Sequence, residues 1–189
     1  RLIAREGAAG DAAQGDDDVD SSLDELNGAV AFTETTATAL KDQACGAGSD
    51  RGCYTNYAVV ADLDDDGAFD LVLANGGDHF FAGRPEPQAV FFGDGKGVFA
   101  DGVRSFAGLA PSIVRQIAIA DFDGDGKLDV YLPGGYGNTD DQLFMQVGAR
   151  KFQNDMARIP QKLSHAGGVA AGDIDNDGDI DLVIADWGD

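Results

Sequence analysis

The 189-residue chain carries 34 acidic against 13 basic side chains, a formal net charge of −21, with 27 glycines, only 5 prolines and 43% hydrophobic residues. Its length suffices for the core of one domain or somewhat more. So acidic a chain is a poor partner for nucleic acid or an anionic membrane, since phosphate binding needs clustered Lys and Arg, and it holds no apolar run of about 18 residues that would make a transmembrane helix.

In chain order, residues 1–27 are rich in Ala, Gly and Asp, show little apolar periodicity and read as an acidic arm. The chain opens on Arg1 without a signal peptide, which suggests a processed or partial product. Residues 28–56 hold one expected strand, Gly28-Ala-Val-Ala-Phe-Thr-Glu-Thr-Thr36, then a glycine-rich loop between Cys45 and Cys53. No further cysteine or nearby histidine completes a zinc site. The pair reads as a local disulfide, with two free thiols the alternative; a disulfide implies an oxidising compartment.

From Tyr57 a unit begins that recurs. Ala58–Ala61 is an apolar strand, an aspartate-rich loop follows, and Leu71–Ala74 is a second strand ending at Asn75-Gly76-Gly77. Gln88–Phe92, the turn Gly93-Asp94-Gly95-Lys96-Gly97 and Val98–Ala100 add two more strands. The order repeats as Ile117–Ala120, a loop, Val130–Leu132, Gly134-Gly135, Gln142–Val147, a turn at Gly148, and Lys151–Gln153. It restarts with Gly168–Gly172, a loop and Leu182–Ala185 before Trp187-Gly188-Asp189, a part-unit expected to continue further.

Four-stranded units at this period predict an all-β fold, a β-propeller-like segment of four-stranded antiparallel blades. Two blades and a part make the propeller incomplete, since closed rings have about four to eight. The expected organisation is therefore the arm 1–27, the strand and cysteine loop 28–56, and the repeats 57–110, 111–164 and 165–189. No helix-length apolar period separates the strands, which argues against a parallel βαβ sheet.

The three loops are Asp62-Leu-Asp-Asp-Asp-Gly-Ala-Phe-Asp70, Asp121-Phe-Asp-Gly-Asp-Gly-Lys-Leu-Asp129 and Asp173-Ile-Asp-Asn-Asp-Gly-Asp-Ile-Asp181. Fourteen of the 34 acidic residues lie within them. Carboxylates at positions 1, 3, 5 and 9 suit a hard cation, which takes six to eight oxygens at about 2.3–2.6 Å. The glycine at position 6 supplies a positive-φ turn. In the second loop, Lys127 offers its backbone carbonyl and Asp129 closes the site through one oxygen or two. An EF-hand would need a glutamate at position 12 and flanking helices, whereas Leu73, Leu132 and Ile184 stand there. Asp16, Asp18, Asp20 and Asp24 copy the spacing, but Ser21 replaces the glycine and no β-rich strand leads in, so no site is assigned to them.

These loops, the following apolar strand with Asn-Gly-Gly, and Phe91-Phe92-Gly93-Asp94-Gly95-Lys96-Gly97-Val98-Phe99 resemble the FG-GAP/VCBS repeats, calcium-binding propeller blades of the kind found in integrin α-subunits. The resemblance spans residues 57–189. The Phe-Gly…Gly-Ala-Pro signature is only partly present, which sets the chain apart from the integrin-like branch. The resemblance implies three Ca²⁺ sites, with ligands Asp62, Asp64, Asp66 and Asp70; Asp121, Asp123, Asp125 and Asp129; and Asp173, Asp175, Asp177 and Asp181. The carbonyls of Ala68, Lys127 and Asp179 complete the sets.

The expected function is non-enzymatic: a calcium-stabilised module for protein interaction or scaffolding in a larger assembly. Its setting would be extracytoplasmic, whether secreted, cell-surface, periplasmic or thylakoid-lumenal. A carbohydrate-binding propeller, or a propeller-fold lyase or hydrolase, is the alternative. His79, His165, Tyr136 and Asp140-Asp141 are the polar groups outside the loops that catalysis could use, but no nucleophile motif, phosphate loop or zinc spacing accompanies them.

Overall fold

The computed structural model describes residues 3–5, 32–35, 40, 54–76, 85–135, 140–159 and 165–187. Cys45 and Cys53, with the disulfide expected of them, lie outside that set, as do His79 and Tyr136. The chain divides into two compact units, Arg1–Lys41 and Asp42–Asp189. In the first, β1 (Ile3–Arg5) pairs antiparallel with β2 (Phe32–Glu34), placing Ala4 opposite Thr33. The segment read as an arm thus contributes a strand, one too short for any alternation to register in the sequence.

The second unit carries the repeats. β3 (Thr55–Ala61), β4 (Asp70–Asn75), β5 (Ala89–Gly93) and β6 (Phe99–Asp101) form a four-stranded antiparallel sheet in chain order. After a 3₁₀ turn at Val103–Ser105 comes the short strand β7 (Phe106–Ala107). Then β8 (Ala118–Ala120), β9 (Asp129–Leu132), β10 (Gln142–Gly148) and β11 (Lys151–Asn154) repeat the antiparallel order. β12 (Ala166–Gly172) and β13 (Asp181–Asp186) form the hairpin that starts the third unit. The described residues are therefore all-β apart from that 3₁₀ turn and a second at Met156–Arg158, and the architecture is an incomplete propeller of antiparallel blades.

β7 makes the second sheet five-stranded, because it pairs parallel to β11 along the outer edge. An uncovered edge would present unpaired backbone groups. The pairing is driven by packing: the Phe106 ring stacks on Phe152 at 4.1 Å and meets Phe144 edge-on at 5.3 Å. A two-residue strand leaves no periodic trace, so sequence patterning alone does not reveal it.

Alternation along the strands supplies two opposed apolar faces. Val72, Ala74, Val90 and Phe92 of the first sheet pack with Val130, Leu132, Phe144 and Phe152 of the second. Tyr131, Leu143 and Met145, on the other face of the second sheet, pack with Val169, Leu182 and Ile184 of the third unit. Burying each large side chain is worth about 1.5–3 kcal/mol, and β9, covered on both faces, reads as a continuous apolar run for that reason.

Backbone bonds join successive units in matching register. Val114 and Ala166, each seven residues before its loop, donate their N–H to the carbonyls of Asn75 and Gly134, both at 3.0 Å. Gly76 permits the crossing. Its φ is +121°, and an added Cβ would lie 2.5 Å from the Ser112 carbonyl oxygen of the next unit. Gln88 locks the same junction, accepting from Asn75 N–H at 2.7 Å and donating to the Ser112 carbonyl at 3.0 Å.

Candidate metal centres

Each aspartate loop is the turn of the hairpin that opens its blade: β3–β4, β8–β9 and β12–β13. Glycine at position 6 takes positive φ in all three, +86°, +86° and +99° at Gly67, Gly126 and Gly178. Position 4 is left-handed as well, at Asp65 (+59°), Gly124 (+71°) and Asn176 (+63°). The carboxylate spacing draws no attention to that position. Its residue types nonetheless carry a signal, because Asp, Gly and Asn tolerate this conformation best.

The hydrogen bonds repeat loop by loop. The position-1 carboxylate accepts from the N–H groups of positions 5 and 6: Asp62 from Asp66 (3.1 Å) and Gly67 (2.9 Å), Asp121 from Asp125 (3.0 Å) and Gly126 (2.8 Å), Asp173 from Asp177 (3.1 Å) and Gly178 (3.0 Å). The position-5 carboxylate accepts from the N–H of position 7, at 2.8 Å for Ala68, 2.9 Å for Lys127 and 2.9 Å for Asp179. These short bonds wrap the chain so that its carboxylates converge, which costs energy while they stay charged and unneutralised.

Position 9 does more than close the turn. Asp70 and Asp129 are buried, and both oxygens of each accept backbone N–H groups. One donor is inside the loop, Leu63 (2.8 Å) or Phe122 (3.0 Å). The other lies on the third strand of the blade, Gly93 (2.9 Å) or Gln146 (2.7 Å). Asp181 makes the loop bond, from Ile174 at 3.0 Å. A carboxylate has about four lone-pair directions, so ligation through a single remaining one is compatible with these bonds. Burial, opposed by the backbone bonds, raises the pKa of Asp70 and Asp129, and the carboxylates of Asp64 and Asp66, or of Asp123 and Asp125, add to the rise.

The side chains that come within 4.8 Å of one another are Asp62, Asp64 and Asp66 in the first loop, Asp121, Asp123 and Asp129 in the second, and Asp173, Asp175 and Asp181 in the third. All donors are oxygens, the set a hard cation prefers. Asp125 is diverted toward the Lys127 ammonium, whose hydrogen bond holds its pKa below the ordinary value. In the first loop the Asp64 side chain is only 3% exposed, and its Oδ1 is buried without a hydrogen-bond partner. A lone buried carboxylate oxygen is costly unless a cation or donor reaches it.

Two arginines that residue spacing gives no hint of meet position 3. Arg150 pairs with Asp64 and Asp66, and Arg158 with Asp123 at 3.4 Å. Among the polar groups weighed for catalysis, Asp141 is taken up structurally: it accepts from Gly134 N–H at 2.6 Å and from the Tyr131 hydroxyl at 2.9 Å. Burial, with Asp141 alongside, pushes the Tyr131 phenol far above its ordinary value, so it stays a donor. His165 stands just before β12, where its carbonyl accepts from Trp187 N–H at 3.2 Å.

The left-handed position 4 gives a direct test. A methyl added at Gly124 would meet open space, so Gly124→Ala isolates the backbone cost of φ +71°. A loss of roughly 1–2 kcal/mol in urea unfolding is expected, with Gly124→Asn closer to wild type.

Fold and loops together define a propeller-type repeat protein with an acidic turn in each blade. Residues 62–132, which span the first two aspartate loops, match the family model of the FG-GAP-like repeat. A comparison with curated proteins returns no match. Among the described residues, no helix is long and apolar enough to cross a membrane.

Proposed function

We propose that the chain is a non-enzymatic, calcium-stabilised propeller module that serves protein interaction or scaffolding in an extracytoplasmic assembly. The observation that carries the calcium reading is the buried, unpartnered Oδ1 of Asp64 within a loop geometry that occurs three times. Ca²⁺ would be held by the aspartates at positions 1, 3, 5 and 9 and the position-7 carbonyl, where it neutralises converging carboxylates. In this role the ion is structural, pinning each opening hairpin so that the sheets can stack. The family supports a contact role, and exposed Tyr57 and Val60 on β3 offer apolar surface for it. A net charge of −21 favours a calcium-rich setting over one where the loops would go unneutralised.

Calorimetric titration of the metal-free chain with calcium tests the reading. Three ions per chain are expected. Affinity should fall as the pH is lowered toward the carboxylate range, and should begin to fall at a higher pH than ordinary aspartates would require, because the raised pKa values of Asp70 and Asp129 make protons compete with the ion in that direction. Zero binding, or binding that persists unchanged once carboxylates are protonated, would count against these residues as ligands.

A further inference from the structure

The first loop differs from the others in what reaches it. Arg150 lies in the turn between β10 and β11 of the second blade, at φ +51°, yet its guanidinium spans to the first blade's loop. Nε donates to Asp64 Oδ2, the second amino group donates to Asp66 Oδ2 at 2.9 Å, and the carbon of the guanidinium lies 4.8 Å from the centre of the Phe92 ring. In the second loop the corresponding contact comes from the same blade, through Arg158, and is longer at 3.4 Å. In the third, Asp175 accepts instead from Asp177 N–H at 3.2 Å.

We infer that Arg150 is a positioning residue for the cation of the first loop, an outer clamp that couples that site to the neighbouring blade. The inference rests on the calcium reading above. The geometry separates the two oxygens of Asp64. Oδ2 faces the guanidinium, while Oδ1 is left buried and unpartnered, in a carboxylate that lies within 4.8 Å of those of Asp62 and Asp66. The guanidinium takes only Oδ2 of Asp64, so Oδ1 remains available to a cation. Arg suits the task because its planar fork engages two carboxylates in one fixed arrangement, whereas Lys offers a single point charge. Partners that orient a ligand from outside typically contribute about 10–100-fold to metal affinity. By linkage, an ion in the first loop also steadies the β10–β11 turn of the second blade.

The amides of Gly67, Gly126 and Gly178 report the three loops separately, since each donates to its own position-1 aspartate. Calcium titration of the full chain followed at these amides by NMR should show Arg150→Ala weakening binding at Gly67 by about 10–100-fold, with Gly126 and Gly178 titrating as in wild type. Arg150→Lys should recover only part of the loss. Unchanged or tighter binding at Gly67 in Arg150→Ala would overturn the inference, making the guanidinium a bystander or a competitor. If none of the three amides responds in the wild-type chain, the calcium reading itself fails and takes this inference with it. Arg150 is 46% exposed, so its replacement leaves the core packing in place, and unchanged Gly126 and Gly178 titrations verify that the fold persists.

Discussion

Calcium is expected to raise the melting temperature of the metal-free chain by roughly 15–30 °C when each site is saturated about a hundredfold above its dissociation constant. One such site contributes about 2.7 kcal/mol, and three independent sites about 8 kcal/mol. For a chain of this size each kcal/mol moves the midpoint by roughly 2–4 °C. The reason for so large an effect is electrostatic. Three groups of aspartates converge within 4.8 Å inside hairpins whose strands form the inter-sheet core. Without metal, each hairpin works against repulsion that the charge of −21 intensifies. Magnesium should do much less, because it demands near-ideal octahedral geometry and gives up its water reluctantly. Scanning calorimetry with chelator, calcium or magnesium decides the matter; equal and small shifts for both ions would mean that the loops are merely acidic turns.

The second large effect is structural and independent of metal. Asp129→Ala should lower stability by about 2–6 kcal/mol in chelator, since it strands the N–H groups of Phe122 and Gln146, each costing about 1–3 kcal/mol if left without a partner. Asp121→Ala also removes two acceptors, but in an exposed loop where water takes over. Its cost in chelator should therefore be well under that of Asp129→Ala. Asp129→Asn, which keeps one acceptor oxygen, should fall between them. Urea unfolding in the absence of calcium gives the ranking. If Asp121→Ala proved as damaging as Asp129→Ala, position 9 would lose its role as the tie between the loop and the third strand.

Much of the candidate site was legible from residue order. The Asp-x-Asp-x-Asp-Gly-x-x-Asp spacing announced three hairpin turns, and the flanking apolar runs became the paired strands β3–β4, β8–β9 and β12–β13. Position 4 was legible too, had the set Asp65, Gly124 and Asn176 been read as a demand for left-handed backbone. The double engagement of Asp70 and Asp129 was not, because their second donors, Gly93 and Gln146, stand 23 and 17 residues away on another strand.

Residue order specified whatever depends on neighbours a few positions apart: the turns, the alternation within strands, the recurrence of the blade and the oxygen-rich loops. Folding in three dimensions decided what depends on distant surfaces meeting. It gave Phe106 a place on the outer edge of the second sheet, paired Ile3–Arg5 with Phe32–Glu34, and brought Arg150 to an aspartate 86 residues away. Such contacts leave no period in the chain, since a side chain's partner across a blade boundary is chosen by packing and charge after the sheets have stacked.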